Sequence, residues 1–220
     1  MDRLSKSQLE QWMSFYYQNP QPDRLPDAIA TLSQEGYLQK ANAVQPILFF
    51  LSCIFRDRPE KLSEWLSQWN DLPSRDRQIL VNAIWLSNTP QAREYLANLA
   101  KETEDLAIEN TINSLIQKSP PDIASLPIGD PSMIDVFWAG FMATGEEKYV
   151  LNIIAVLSNI NSSEDSLKTA IANAAKWSLT SQARIHEKVM LICLGQLEQQ
   201  SEEIGAILQG IVTDARTSSR

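Results

Sequence analysis

The chain has 220 residues, 44% of them hydrophobic, and a formal net charge of −8 that is shared evenly: residues 1–110 carry 11 basic and 15 acidic groups, residues 111–220 carry 8 and 12. With no basic block or stripe to neutralise phosphates, nucleic acid is excluded as the main partner, and the negative surface disfavours anionic membranes. The longest apolar run, Ile47–Ile54 with Ser52 inside it, is far too short to span a bilayer, so no membrane association is expected.

The opening residues, MDRLSKSQLEQWMSFYYQN, lack a charged-then-apolar secretory pattern, and their polar residues recur at helical spacing. Leu9, Trp12, Met13 and Tyr16 form the first apolar stripe, ended by Asn19-Pro20-Gln21-Pro22. Pro26 opens a helix carrying Leu25, Ala28, Ile29 and Leu32, which Gly36 stops. From Val44 to Phe55 the chain is apolar nearly all round, which predicts a helix packed on several sides, with Pro46 near its start where proline is tolerated. Arg58-Pro59 breaks it, and Leu62, Trp65, Leu66 and Trp69 follow as the next stripe.

After the turn at Leu72-Pro73-Ser74, Ile79, Leu80, Ala83 and Ile84 share one helix face. Asn88-Thr89-Pro90 combines a cap with a first-turn proline and starts a helix through Ala92, Tyr95, Leu96 and Leu99. Residues 103–118 read as one further helix, with Ile108, Ile112 and Leu115 facing inward. Ser119–Gly129 holds Pro120, Pro121 and Pro127 and is the one clear loop. It divides a single all-α domain, 1–220, into candidate parts 1–118 and 130–216.

Beyond it, Asp135–Leu157 reads as a helical hairpin. Ile134, Phe137, Trp138 and Phe141 make one stripe, Thr144-Gly145 the turn, and Val150, Ile153, Ile154 and Leu157 the second stripe. Leu167, Ala170, Ile171 and Ala174 mark another helix, extending toward Trp177. Val189, Ile192, Cys193 and Leu197 mark the next, and Ile204, Ile207, Leu208 and Ile211 the last, with a frayed tail from Thr217 to Arg220. No segment alternates with period two. The fold class is therefore all-α, with ten to twelve helices.

Stripes starting at Leu25, Leu62, Ala92 and Val150 lie 37, 30 and 58 residues apart, and each follows an aromatic-bearing helix and a Pro or Gly breaker. A period of roughly 30–40 residues built from helix pairs predicts antiparallel hairpins stacked as an α-solenoid-like array; the alternative is a compact multi-helix bundle. At Ile134–Leu157 the positions of Phe141, Gly145 and Val150-x-x-x-Ile154 resemble a tetratricopeptide-type repeat. Trp138 stands where that family has a small residue, and Val150 replaces its alanine. The resemblance covers about 25 residues and implies helix-pair geometry and protein or peptide binding, with no specific binding residue carried over.

Catalytic or metal-binding sets do not assemble from these residues. The one histidine, His186, sits near a helix start, where a surface or capping role is expected, and it cannot make a usual zinc site with two distant cysteines. Cys53 and Cys193 lie in apolar helical stretches and read as small core residues of a reduced, cytoplasmic protein. The triplet Asn161-Ser162-Ser163 matches a glycosylation acceptor, but without a secretion signal it carries no implication. Phosphate-cradling glycine loops are absent, so neither metal nor cofactor is expected. Of the aromatics, Trp12, Trp65, Trp69 and Trp138 lie on core stripes, whereas Trp85 and Phe15 project off theirs and are candidate interaction anchors. Arg56, Arg58, Arg75 and Arg77 form a further candidate patch, interleaved with Asp57, Glu60 and Asp76 in what also reads as a solvated ion-pair network.

These features predict a non-enzymatic helical-repeat protein that binds a protein or peptide, or assembles with itself as a homodimer. The alternative is an enzyme or small-ligand-binding bundle whose Asp, Glu and Tyr side chains converge only in three dimensions.

Overall fold

The computed structural model describes residues 3–161 and 165–217. The glycosylation triplet beyond Asn161 and the expected tail beyond Thr217 lie outside the described residues. Among the described residues there are twelve α-helices and no strand, and no helix is long and apolar enough to cross a membrane. The chain divides into two compact units, one comprising Met1–Asp122 with Met142–Gly145, the other Ile123–Phe141 with Glu146–Arg220.

The first unit begins with α1 (Lys6–Ser14), whose start is fixed by a capping box. The Ser5 hydroxyl accepts from the Gln8 N–H at 3.2 Å, and the Gln8 side chain accepts from the Ser5 N–H at 2.9 Å. α2 (Leu25–Gln34) follows a proline-initiated 3-10 turn and is stopped at Gly36, which takes φ +68°. α3 (Val44–Asp57) is the centre of the unit, with every residue from Phe49 to Phe55 buried. That is why its sequence is apolar all round. Phe50 meets Trp12 and Tyr16 edge-on at 5.7 and 5.6 Å, and Phe55 meets Trp65 and Trp69 at 6.1 Å each.

α4 (Leu62–Leu66), α5 (Ser74–Leu86), α6 (Pro90–Glu102) and α7 (Leu106–Leu115) complete the unit. α5 packs on α3 and α7 on α5, while α4 touches α6. Thr89 caps α6 by accepting the Ala92 N–H at 3.1 Å. α7 is shorter than the 103–118 expected from periodicity, because Asp105 accepts the N–H groups of Ala107 and Ile108 and sets the start at Leu106. Asp76, read in the sequence as part of a solvated ion-pair network, is instead only 1% exposed. Its carboxylate accepts the Ser33 hydroxyl and, at 3.2 Å, the Gln39 amide, joining α5 to the end of α2.

The second unit contains α8 (Ser132–Thr144) up to Phe141, α9 (Glu147–Ala155), α10 (Ser166–Ile185), α11 (Glu187–Gln196) and α12 (Glu202–Thr217). α10, α11 and α12 pack on one another, and α9 packs on α10 and α11. Phe137 on α8 meets Tyr149 on α9 edge-on at 6.2 Å, and Trp138 and Phe141 are buried as the stripe predicted. Asn152 on α9 donates to the Ala124 carbonyl at 2.7 Å, tying the proline-rich loop to the helices that follow it.

Two expectations shift here. Leu167, placed on the inward stripe of α10, is 52% exposed; the buried face is Ile171, Ala172, Ala175, Ser178, Leu179 and Ala183. His186 does sit at a helix junction, between α10 and α11, but it is buried rather than superficial, and its ring meets Phe141 edge-on at 6.1 Å.

Candidate functional site

One opening lies wholly within the first unit. It is a cleft of about 740 Å³ bounded by the end of α4, α5, α6 and the start of α7. Its apolar lining comes from stripe positions of two helices, Leu66 on α4 and Tyr95 and Leu99 on α6. Its polar lining is Ser63, Ser67, Asn70 and Thr103, with the exposed Glu102 and Glu104. Below it a recess of about 40 Å³ shares Leu66, Asn70, Arg77, Tyr95 and Leu99 with the cleft and adds Trp69 and Ile108.

The sequence places these groups for local reasons. The Asp105 cap that begins α7 also turns its second carboxylate oxygen to the Arg77 guanidinium of α5 at 2.8 Å, across 28 residues. Its carboxyl is held below the usual carboxylate range, chiefly by the Ser74 hydroxyl, with help from the Ile108 and Ala107 N–H groups and from Arg77. Arg77 and Asp105 are thus consumed by each other and by the cap. Tyr95 has its hydroxyl pushed up to about 12 by burial and, secondarily, by the Glu102 charge, so it stays protonated at neutral pH.

Two N–H groups at this place have no partner. Trp69 is 2% exposed and its Nε1–H is buried without an acceptor; Arg77 Nε is buried and unpaired as well. Buried donors are seldom left this way, since each orphan costs about 1–3 kcal/mol.

The other candidates are dispersed. Phe15 is half-buried and lines a separate groove of about 320 Å³ with Trp12, Asn19, Gln21 and Arg24. Trp85 is half-buried, and its indole N–H donates to the Lys118 carbonyl at 3.3 Å, anchoring the chain after α7. Arg56 reaches Asp57 at 3.4 Å, whereas Arg77 reaches Asp105; Arg58 and Arg75 are exposed. Of these six residues only Arg77 lines the cleft. Sequence reasoning missed Asn70, Thr103 and Asp105, and took Trp69 and Tyr95 for packing residues alone. In the second unit Trp177 on α10 is 74% exposed beside Lys176 and Arg184, another feature not singled out.

Among the described residues no group of three or more His, Cys, Asp or Glu side chains could hold a metal ion. Both cysteines are buried, and burial pushes the Cys193 thiol up to about 11. Compared with known proteins, the chain matches no family model, no curated protein and no solved structure.

Proposed function

We propose that this chain is a non-enzymatic helical binding module that holds a peptide segment of another protein in the α4–α7 cleft. The observation that carries the reading is the cleft itself: apolar Leu66 and Leu99 lining the same space of about 740 Å³ as the hydrogen-bonding Ser63, Ser67, Asn70 and Thr103. Such a trough suits an extended chain, with side chains against the leucines and amides against the polar groups. The groups best placed for chemistry are already committed: Asp105 caps α7, Arg77 is its ion partner, and Tyr95 is a donor at neutral pH rather than a base.

The packing of α3 on α5 and α5 on α7, with α4 against α6, supports a stacked-hairpin, solenoid-like reading of the first unit. It agrees with the tetratricopeptide-type resemblance of the later hairpin, a class of fold that presents such surfaces to peptides. On this proposal the protein acts in the cytoplasm, and self-association is secondary to peptide capture.

The test is selection of a displayed random dodecapeptide library on the wild-type protein, followed by binding to Ser67→Arg. Ser67 is an exposed cleft residue, so a long cationic side chain there fills the trough without touching the core. Selected peptides should lose at least about tenfold in affinity for this variant, while its circular dichroism and thermal midpoint stay those of wild type. Failure to enrich any sequence, or peptides indifferent to the substitution, would overturn the proposal.

A further inference from the structure

We infer that the recess beneath the cleft is built to take a primary carboxamide, the side chain of glutamine or asparagine, from a peptide that carries lysine or arginine on either side of it. The inference rests on the cleft being a peptide site and names what distinguishes its ligand.

The recess offers two hydrogen-bond donors. Trp69 Nε1–H and Arg77 Nε–H are both buried without a partner, and both residues line the same space of about 40 Å³. That volume admits one small polar head and no more. A carboxylate or phosphate would meet the donors but not the field. Three carboxylates, Glu102, Glu104 and Asp105, stand at the cleft against the single guanidinium of Arg77, and that guanidinium is already paired with Asp105 at 2.8 Å. A further anion would enter an environment already in negative excess. A neutral carbonyl satisfies the same N–H groups without that penalty.

The remaining lining chooses among neutral carbonyls. Asn70 and Tyr95 face both cleft and recess, and each offers an oxygen that accepts a hydrogen bond. A primary amide presents one acceptor and two donors, so it answers Trp69 and Arg77 with its oxygen and Asn70 and Tyr95 with its NH₂ group. A ketone or ester answers only the first pair. Outside the recess, Glu102 and Glu104 are exposed at the cleft, and the chain as a whole carries −8. Cationic residues flanking the amide meet both the local and the global field.

The test uses the full chain, uniformly ¹⁵N-labelled, and three acetylated and amidated peptides of one length: lysine-flanked glutamine, glutamate-flanked glutamine, and lysine-flanked leucine. The indole N–H resonance of Trp69, assigned by Trp69→Phe, reports the recess. That of Trp12, which already donates to the Gln21 carbonyl at 3.3 Å, is the internal reference. The lysine-flanked glutamine peptide should move the Trp69 resonance downfield, leave that of Trp12 in place, and bind about tenfold more tightly than either companion. Glu102→Gln with Glu104→Gln, both exposed changes that leave the fold intact, should abolish the preference for lysine over glutamate flanks. If the glutamate-flanked or leucine peptide binds as well or better, or if peptides bind with Trp69 unmoved, the amide assignment is overturned while the cleft stands. If none of the three binds and no selected dodecapeptide depends on Ser67, the cleft reading falls with it.

Discussion

Asp76 shows how much one buried side chain can organise. Its carboxylate is the acceptor for Ser33 at the end of α2 and for Gln39 in the 3-10 turn after it, two groups 43 and 37 residues away in sequence. Truncation to alanine leaves the half-buried Ser33 hydroxyl without its acceptor, while the exposed Gln39 amide can turn to water, so Asp76→Ala should cost about 1–2 kcal/mol in urea unfolding, and Asp76→Asn less, since an amide oxygen still accepts from Ser33. His186 makes a pH-dependent contribution of definite sign. Burial holds its pKa below the ordinary 6.5. The folded chain therefore resists protonation that the unfolded chain accepts, and the stability present above pH 6.5 is lost as pH falls through the folded value. The urea midpoint of wild type should drop between pH 7.5 and 5.5 by more than that of His186→Gln. Equal drops would show that another group carries the acid sensitivity.

At the level of elements, the two left-handed glycines separate backbone strain from crowding. Gly36 (φ +68°) and Gly145 (φ +69°) have nearly the same conformation, but a Cβ at Gly36 meets nothing within 4 Å, whereas at Gly145 it would come within 2.9 Å of Tyr17 Cδ2. Tyr17 is held there by its own N–H, which donates to the Met142 carbonyl at 3.0 Å in the same unit. Gly36→Ala should cost about 1 kcal/mol, the left-handed penalty alone, and Gly145→Ala about twice that or more, compared by thermal unfolding. Both glycines were legible as stops from sequence because a turn needs positive φ. The tyrosine above Gly145 was not, since it comes from 128 residues earlier in the chain.

The same division holds for helix faces. Strongly apolar stripes with aromatics, such as Phe137, Trp138 and Phe141, were placed correctly because nothing local competes with burial of large rings. In α10 half of the buried residues are alanine and one is serine, and the conspicuous Leu167 lies exposed in the first turn, beside the Asp165 cap. Small residues carry little hydrophobic signal even when they are the packing surface. The cleft was half-legible for the same reason. Leu66, Tyr95 and Leu99 were visible as stripe residues and Arg77 as a cation. The Asp105 contact and the unpartnered N–H of Trp69 are decided by which helices lie side by side, and no spacing encodes that.

For the molecule as a whole, the proposal rests on charge as well as on shape. On that proposal the net charge of −8 and the carboxylates Glu102, Glu104 and Asp105 at the cleft favour cationic ligands over phosphates. The competing surfaces are the Phe15 groove and the exposed Trp177 face. They make the location of any bound peptide the sharpest test of the proposal. The most direct measurement is chemical-shift mapping of the ¹⁵N-labelled protein titrated with a selected dodecapeptide. The account predicts that the perturbed amides cluster at Ser63, Ser67, Asn70, Tyr95 and Thr103; a cluster around Phe15 or Trp177 that leaves these residues unmoved would contradict it.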